Sequence, residues 1–232
     1  MFKPFREVLI IDKKENMLAK LREPVNGLTH FFAAIVAFMG LILLVVLGWH
    51  SLIKEISLSI YGTSLILLFA ASATYHMVKA KPGIIATLRK LDHSAIFLLI
   101  AGTYTPFCLL MFTGFWKWGF LAIVWSLAAI GILVKIFILD APRWLHTGVY
   151  VVMGWLCMAA IGEMLHVLPT GALIWLIVGG VVYTLGAIIY ATKILDFIPG
   201  KFGFHEVWHI FVILGAVAHF IAIAGYLAPH AV

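Results

Sequence analysis

Three short clusters of polar residues interrupt an otherwise apolar chain: Ser72-Ala73-Thr74-Tyr75-His76, Asp92-His93-Ser94 and His205-Glu206-Val207-Trp208-His209. Their residue types are those of metal chemistry. Residues i and i+4 of a helix lie about 40° apart around the axis and about 6 Å along it, so His205 and His209 point the same way and can share one cation. His76, from a neighbouring helix, would add a third nitrogen. Three imidazoles with a position left open form the ligand set of a catalytic zinc, which lowers the pKa of its water to about 7. Neutral imidazoles favour zinc, although iron, copper and nickel also accept them. Asp92 would take a proton from that water or orient it. Ser72, one turn from His76 on the same helix face, could hydrogen-bond the water or a substrate carbonyl.

Each residue also has a plainer reading. A lone interfacial histidine is usually a satisfied polar side chain, Asp92 alone could cap a helix, and Ser72 alone could be a helix-packing hydroxyl. His30, with Glu23 and Asn26, opens the first apolar run. Asn26 can cap that helix, Glu23 can pair with a loop cation, and His30 reads as structural. His93 lies about 100° from Asp92 and points elsewhere. His219 is ten residues past His209, roughly 280° around, and reads as a structural or channel-lining group. His50, His146, His166 and His230 fall in loops or at ends and carry little signal.

The elements that must hold these residues follow from composition. Of 232 residues, 64% are apolar and only 11% charged, where a soluble domain is about 45–50% apolar and about 25% charged. With a mean hydropathy of +1.11, both a soluble domain and a disordered chain are excluded, leaving a polytopic membrane protein. The two cysteines, Cys108 and Cys157, sit inside apolar runs and form no disulfide framework. No cleavable signal peptide is expected: residues 1–26 form a charged segment, and the first apolar run serves as an uncleaved anchor.

Charged residues cut the chain into seven apolar blocks, each long enough for one helix of about 20 residues. The predicted spans are Leu28–Gly48, Ile56–Met77, Leu91–Met111, Trp118–Leu139, Trp144–Ile161, Gly171–Ala191 and His205–Leu227. The runs do not alternate in polarity, which excludes a β-barrel. The expected fold is an all-α, seven-transmembrane helix bundle in residues 27–232. With the N-terminus cytoplasmic, only Lys54 and Lys117 of the 16 Lys and Arg fall outside, which predicts N-in and C-out. The net charge of +6 thus belongs to cytoplasmic loops, and no nucleic-acid partner is expected. Trp49, Trp116, Trp118 and Trp144 stand at span ends, as interfacial aromatics do. Gly179, Gly180 and Gly215 allow close helix packing. In this topology all three polar clusters share one depth, near the inner interface. The Lys/Arg count did not use the histidines, so the shared level is independent support for one site.

The ordered set Glu23-Pro24-Val25-Asn26-Gly27-Leu28-Thr29-His30, Ser72-x-x-x-His76, Leu91-Asp92-His93-Ser94, Gly102-Thr103-Tyr104-Thr105-Pro106 and His205-x-x-x-His209 resembles the hemolysin III proteins. These are the bacterial branch of the progestin and adipoQ receptor (PAQR) family, and the resemblance runs from Glu23 to Gly225. It implies a seven-helix fold with a cytoplasmic N-terminus and an intramembrane zinc near the inner leaflet. By the same resemblance His76, His205 and His209 are the zinc ligands, and Ser72 and Asp92 lie near the zinc-bound water. The constellation is similar to that of alkaline ceramidases, which implies hydrolysis of lipid amides. Bacterial members are named for haemolysis, and some are linked to membrane fluidity. The long N-terminal extension of the animal receptors has no counterpart here, so a hormone-receptor role is not implied.

The leading expectation is a zinc-dependent hydrolase of membrane-lipid amide or ester bonds, tied to lipid homeostasis. It would reside in the bacterial cytoplasmic membrane, with membrane lipids as partners and a lipid or fatty-acyl ligand between the helices. The alternative is a non-enzymatic membrane sensor or pore-forming cytolysin with a structural zinc. A lesser alternative comes from His205-Glu206-Val207-Trp208-His209, which is literally H-E-x-x-H, the zinc-protease signature. However, no aspartate motif follows it and Ser72, His76 and Asp92 would go unused. Haem is a third reading, but two histidines from one turn cannot flank its ring. Oligomeric state is left open.

Overall fold

The computed structural model of the chain describes residues 20–137, 142–198 and 202–229. Most of the charged N-terminal segment (residues 1–19), Leu139, Lys201 and His230 lie outside the described residues. Seven helices are long and apolar enough to cross a membrane. They are α1 (Pro24–Gly48), α2 (Leu52–Met77), α3 (Pro82–Pro106), α4 (Gly114–Phe137), α5 (Arg143–Val167), α6 (Thr170–Thr192) and α7 (Phe204–Ala222). A π-helical turn extends α3 over Phe107–Met111, and another extends α7 over Ile223–Leu227.

Proline sets several of these limits. Pro24 and Pro82 stand at the first turns of α1 and α3, where the missing N–H costs no hydrogen bond. Pro106 removes a donor deep in α3 and the ladder widens into the π turn that follows. In α5 the ladder tightens to a 3-10 segment over Trp155–Ala160. Tyr104 of α3 staples this break: its hydroxyl donates to the Gly154 carbonyl at 2.8 Å and accepts from the Cys157 N–H at 2.8 Å. Backbone groups freed inside a membrane need such partners.

Consecutive helices run in alternating directions. The starts of α1 and α7 meet at Asn26 and Glu206, the start of α3 meets the end of α4 at Lys90 and Ile136, and the end of α2 meets the start of α1 at His76 and Glu23. At the opposite end the Lys54 ammonium, in the first turn of α2, donates to the Ala228 carbonyl beyond α7. The core beside it is apolar, built from Leu44, Leu58, Tyr61, Ile223 and Leu227. α3 is central, with 78% of its most apolar stretch buried, against 17% for α1 and for α5. The outer faces are apolar too: Phe32, Val36, Phe38 and Met39 of α1 are exposed, a surface that only lipid can solvate. α6 and α7 interlock through small residues. A Cβ on Gly215 would lie 2.8 Å from the Tyr183 ring, and one on Gly179 would meet the His219 ring.

All seven predicted helices are present, but four begin well before the expected residue, α1, α2 and α4 by four residues and α3 by nine. α2 opens at Leu52 and takes in Lys54 and Glu55, and α3 opens at Pro82, nine residues before Leu91. Charged residues mark where a helix leaves hydrocarbon, not where it ends; Arg89 and Lys90 are helical and reach the polar interface. One consequence corrects a sequence reading. Asp92 lies in the middle of α3 and cannot be its N-cap.

Candidate metal centre

His76 sits in the last turn of α2, which ends because Val78 turns extended ahead of Lys79. Two residues before α1 clamp it in place. The backbone N–H of Glu23 donates to the His76 carbonyl at 2.9 Å, and that of Arg22 to the Met77 carbonyl at 3.3 Å. The Glu23 carboxylate then accepts from His76 Nδ1 at 2.5 Å. A carboxylate has no proton to give, so His76 carries its hydrogen on Nδ1 and turns a lone pair outward from Nε2. This is the arrangement in which an outer carboxylate fixes the tautomer of a metal-bound histidine. Burial by itself would raise the Glu23 carboxyl. The hydrogen bond from His76, with the Arg22 guanidinium 3.1 Å away, holds it down to about 2. Arg22 also lies 4.1 Å over the Tyr75 ring, which pins the lead-in segment to α2.

His205 and His209 occupy the first two turns of α7. Their rings and that of His76 stand mutually edge-to-face, with centroids 4.7–5.0 Å apart and planes 72–79° from one another. One ring nitrogen from each lies within 4.8 Å of the others, so the three could hold one metal ion. The polar bookkeeping fits a cation. Among the described residues, His76 Nε2, His209 Nδ1 and both nitrogens of His30 are buried without a hydrogen-bond partner. Leaving such atoms unmet costs about 1–3 kcal/mol each. Unpartnered neutral imidazoles are the donor set that zinc takes.

Ser72 and Asp92 are both buried and both line a cavity of about 630 Å³ that also takes in His205 and His209. The Ser72 hydroxyl faces the Asp92 carboxyl within hydrogen-bonding reach, and Asp92 lies close enough to His76 to feel its charge. Thus the five residues singled out in the sequence, Ser72, His76, Asp92, His205 and His209, come together at one end of the bundle. The cavity then runs on past Ile100, Leu173 and Val212 to Tyr183 and His219, and its wall includes Met158, Leu165 and Ile177, which face outward.

Several residues behave otherwise than the sequence reading held. His30 is part of the site: its ring stacks on His209 at 3.9 Å and 27°, and edges onto Phe69 at 5.0 Å. The only sequence signal was general, that a polar side chain in an apolar span faces the protein interior; in the structure His30 lies in a buried stripe with Ala37 and Leu44. Asn26 does not cap α1. That helix starts at Pro24 with Glu23 as N-cap, and the Asn26 amide instead donates to Glu206 Oε1 at 2.8 Å. Glu23 does pair with a cation, Arg22, but its larger role is to hold His76. Glu206 accepts on its other oxygen from the Gly203 N–H at 2.8 Å, bracing the first turn of α7. His93 points away from the three rings and faces His146, 6.3 Å away. His219 lies 3.3 Å from the Leu176 carbonyl, under Gly179, and is not among the clustered ligands.

A seven-helix membrane bundle with a buried histidine cluster where its first, second and last spans meet defines a narrow class of proteins. The chain matches the family described as "Haemolysin-III related" over residues 18–220 and belongs to it. It is 35% identical to "Hemolysin-3" of Bacillus cereus over 223 residues, covering 95% of this chain and 99% of that protein. It is 36% identical to the "Hemolysin-3 homolog" of Bacillus subtilis (strain 168), covering 88% and 93%. The likeness extends to animals: identity to the "Monocyte to macrophage differentiation factor" of Homo sapiens is 28%, over 87% of this chain and 83% of that one.

Proposed function

We propose that the chain is a zinc-dependent hydrolase of amide or ester bonds in membrane lipids. The observation that carries this reading is that Ser72, Asp92, His205 and His209 line one lipid-sized cavity, with His76 completing the histidine cluster beside it. His76, His205 and His209 would hold the ion, with Glu23 fixing the His76 tautomer and His30 bracing His209. Bound zinc supplies Lewis acidity toward a carbonyl and acidifies water to a pKa of about 7. Asp92 takes the proton from the attacking water at its carboxylate and passes it to the leaving group, a role worth about 10²–10⁴-fold. Ser72 keeps Asp92 oriented for this. The apolar stretch toward Tyr183 and His219 receives the acyl chain, which enters past Met158 and Ile177. The charge asymmetry of the sequence supports placing this end of the bundle at the cytoplasmic face, in the bacterial inner membrane, where the activity would adjust membrane lipid composition.

The test is release of free fatty acid from vesicles of N-acyl and O-acyl lipids by metal-loaded protein. Turnover by the wild type and none by Asp92→Asn supports the reading. A fully loaded protein that cleaves neither bond sinks it.

The names of the Bacillus relatives favour one other reading, a membrane-lysing protein whose metal ties α1, α2 and α7 together. In that case Asp92→Asn leaves lysis intact while His76→Ala lowers the melting temperature. The protease reading is weaker. Glu206 is held by Asn26 and Gly203 through its two carboxylate oxygens and does not line the cavity.

A further inference from the structure

A second polar cluster lies at the same end of the bundle, and the hydrolytic reading does not use it. Arg89 and His93 stand one turn apart on α3, Lys135 lies in the last turn of α4, and Arg143 and His146 open α5. All but Lys135 line the mouth of the cavity. Lys135 lies behind them, 5.8 Å from the ring of Tyr150, which does line it. Arg143 is held in place by the Phe204 and Tyr190 rings, 5.3 and 5.8 Å from its guanidinium carbon. Tyr190 in turn lies 5.4 Å from the ring of His205. The basic cluster is therefore separated from the histidine centre by one aromatic side chain.

A lysine or arginine excess at one membrane face is ordinary when it sits in loops. Lys135 is not in a loop. It is 2% exposed, and its ammonium has no hydrogen-bond partner among the described residues. Among the described residues neither it, Arg89 nor Arg143 makes an ion pair. The nearest carboxyl in the sequence of α3, Asp92, is turned to Ser72. A buried ammonium without a counter-charge among the described residues is costly to keep, and two arginines at one opening with a lysine behind them are suited to an anion. Tyr150 donates to the His93 carbonyl at 3.3 Å and steadies the rim.

We infer that Arg89, His93, Lys135, Arg143 and His146 form a headgroup site for the phosphate of an anionic phospholipid whose acyl chain occupies the cavity. The inference rests on the cavity being a lipid site, as proposed above, but not on hydrolysis. It narrows the substrate class: with the phosphate held at Arg143, the first acyl linkage of the lipid lies beside His205 and Asp92.

The test is equilibrium binding to the full chain, metal-loaded and purified in a neutral maltoside, followed by tryptophan fluorescence and thermal unfolding. Palmitoyl-lysophosphatidylglycerol, palmitoyl-lysophosphatidylcholine and inorganic phosphate are the probes. The anionic lipid should bind about tenfold or more tightly than the zwitterionic one. Lys135→Met should erase that preference without lowering the melting temperature of the lipid-free protein, because the substitution removes an unpaired buried charge. Arg89→Gln should weaken the preference, and it carries the test if Lys135→Met does not fold. Equal affinity for the two lipids overturns the inference. Stabilisation by inorganic phosphate as large as that by the anionic lipid overturns the lipid assignment. A lower melting temperature in Lys135→Met, matched by Asp140→Asn, makes Asp140 the counter-ion and also overturns it. Because the readout is binding, it stands whether or not the protein cleaves lipids.

Discussion

Two groups of imidazoles share one end of the bundle and face a common cavity, yet their surroundings have opposite sign. Around His76, His205 and His209 stand Glu23, Asp92 and Glu206. Around His93 and His146 stand Arg89, Lys135 and Arg143. A neutral imidazole offers a lone pair to a cation or an N–H to an anion. The neighbours decide which. Carboxylates raise the basicity of a ring and favour a bound metal ion, whereas fixed cations repel one. Under the two proposals above, the same residue type at one end of the bundle would serve two tasks set by its neighbours. A lipid spanning the two groups would meet cations at its phosphate and the metal centre at its acyl linkage.

The contrast is broken most directly at the ligands. An outer residue is worth roughly 10–100-fold in metal affinity, and a ligand is worth more, so His209→Ala protein should purify without metal by elemental analysis. Asp92→Asn should keep its metal and lose about 10²–10⁴-fold in lipid turnover; equal losses of metal and activity would make Asp92 a structural residue. Glu23→Gln should bind metal about 10–100-fold more weakly in chelator competition, because the neutral amide no longer fixes the His76 tautomer. Asn26→Ala leaves Glu206 Oε1 without its partner and should cost about 1–3 kcal/mol, read as a fall in the unfolding midpoint. The smallest effect sharpens the comparison best. His93→Ala should leave metal content unchanged, and any loss would mean that the two groups are one.

Most of the architecture could be read from the chain. Runs free of charge gave seven spans, and all seven are helices. The five residues of the centre were also legible, because helical spacing and shared depth depend only on position along a span. The ends of the helices were not. α3 carries Arg89, Lys90 and Asp92 in its interior, and a rule that stops a helix at charge cannot see that long side chains reach the interface. The partners were harder still. Asn26 to Glu206 joins residues 180 apart, and no local pattern announces such a contact. His30 falls between these cases: a polar side chain in an apolar span faces inward, but the ring it stacks on was not legible. The basic cluster went unread because its members lie on three helices, and each taken alone resembles a loop charge.

The clamp on His76 has a consequence for how the protein is made. Glu23 leaves the ribosome ahead of α1, and His205 and His209 only with α7, six spans later. The centre therefore cannot be completed on a nascent chain until the last helix has been inserted and has docked against the first. A metal ion bound there would join α2 to α7, so a chain in which α7 is missing or misinserted would lack it, and its uptake would mark the docking of these spans.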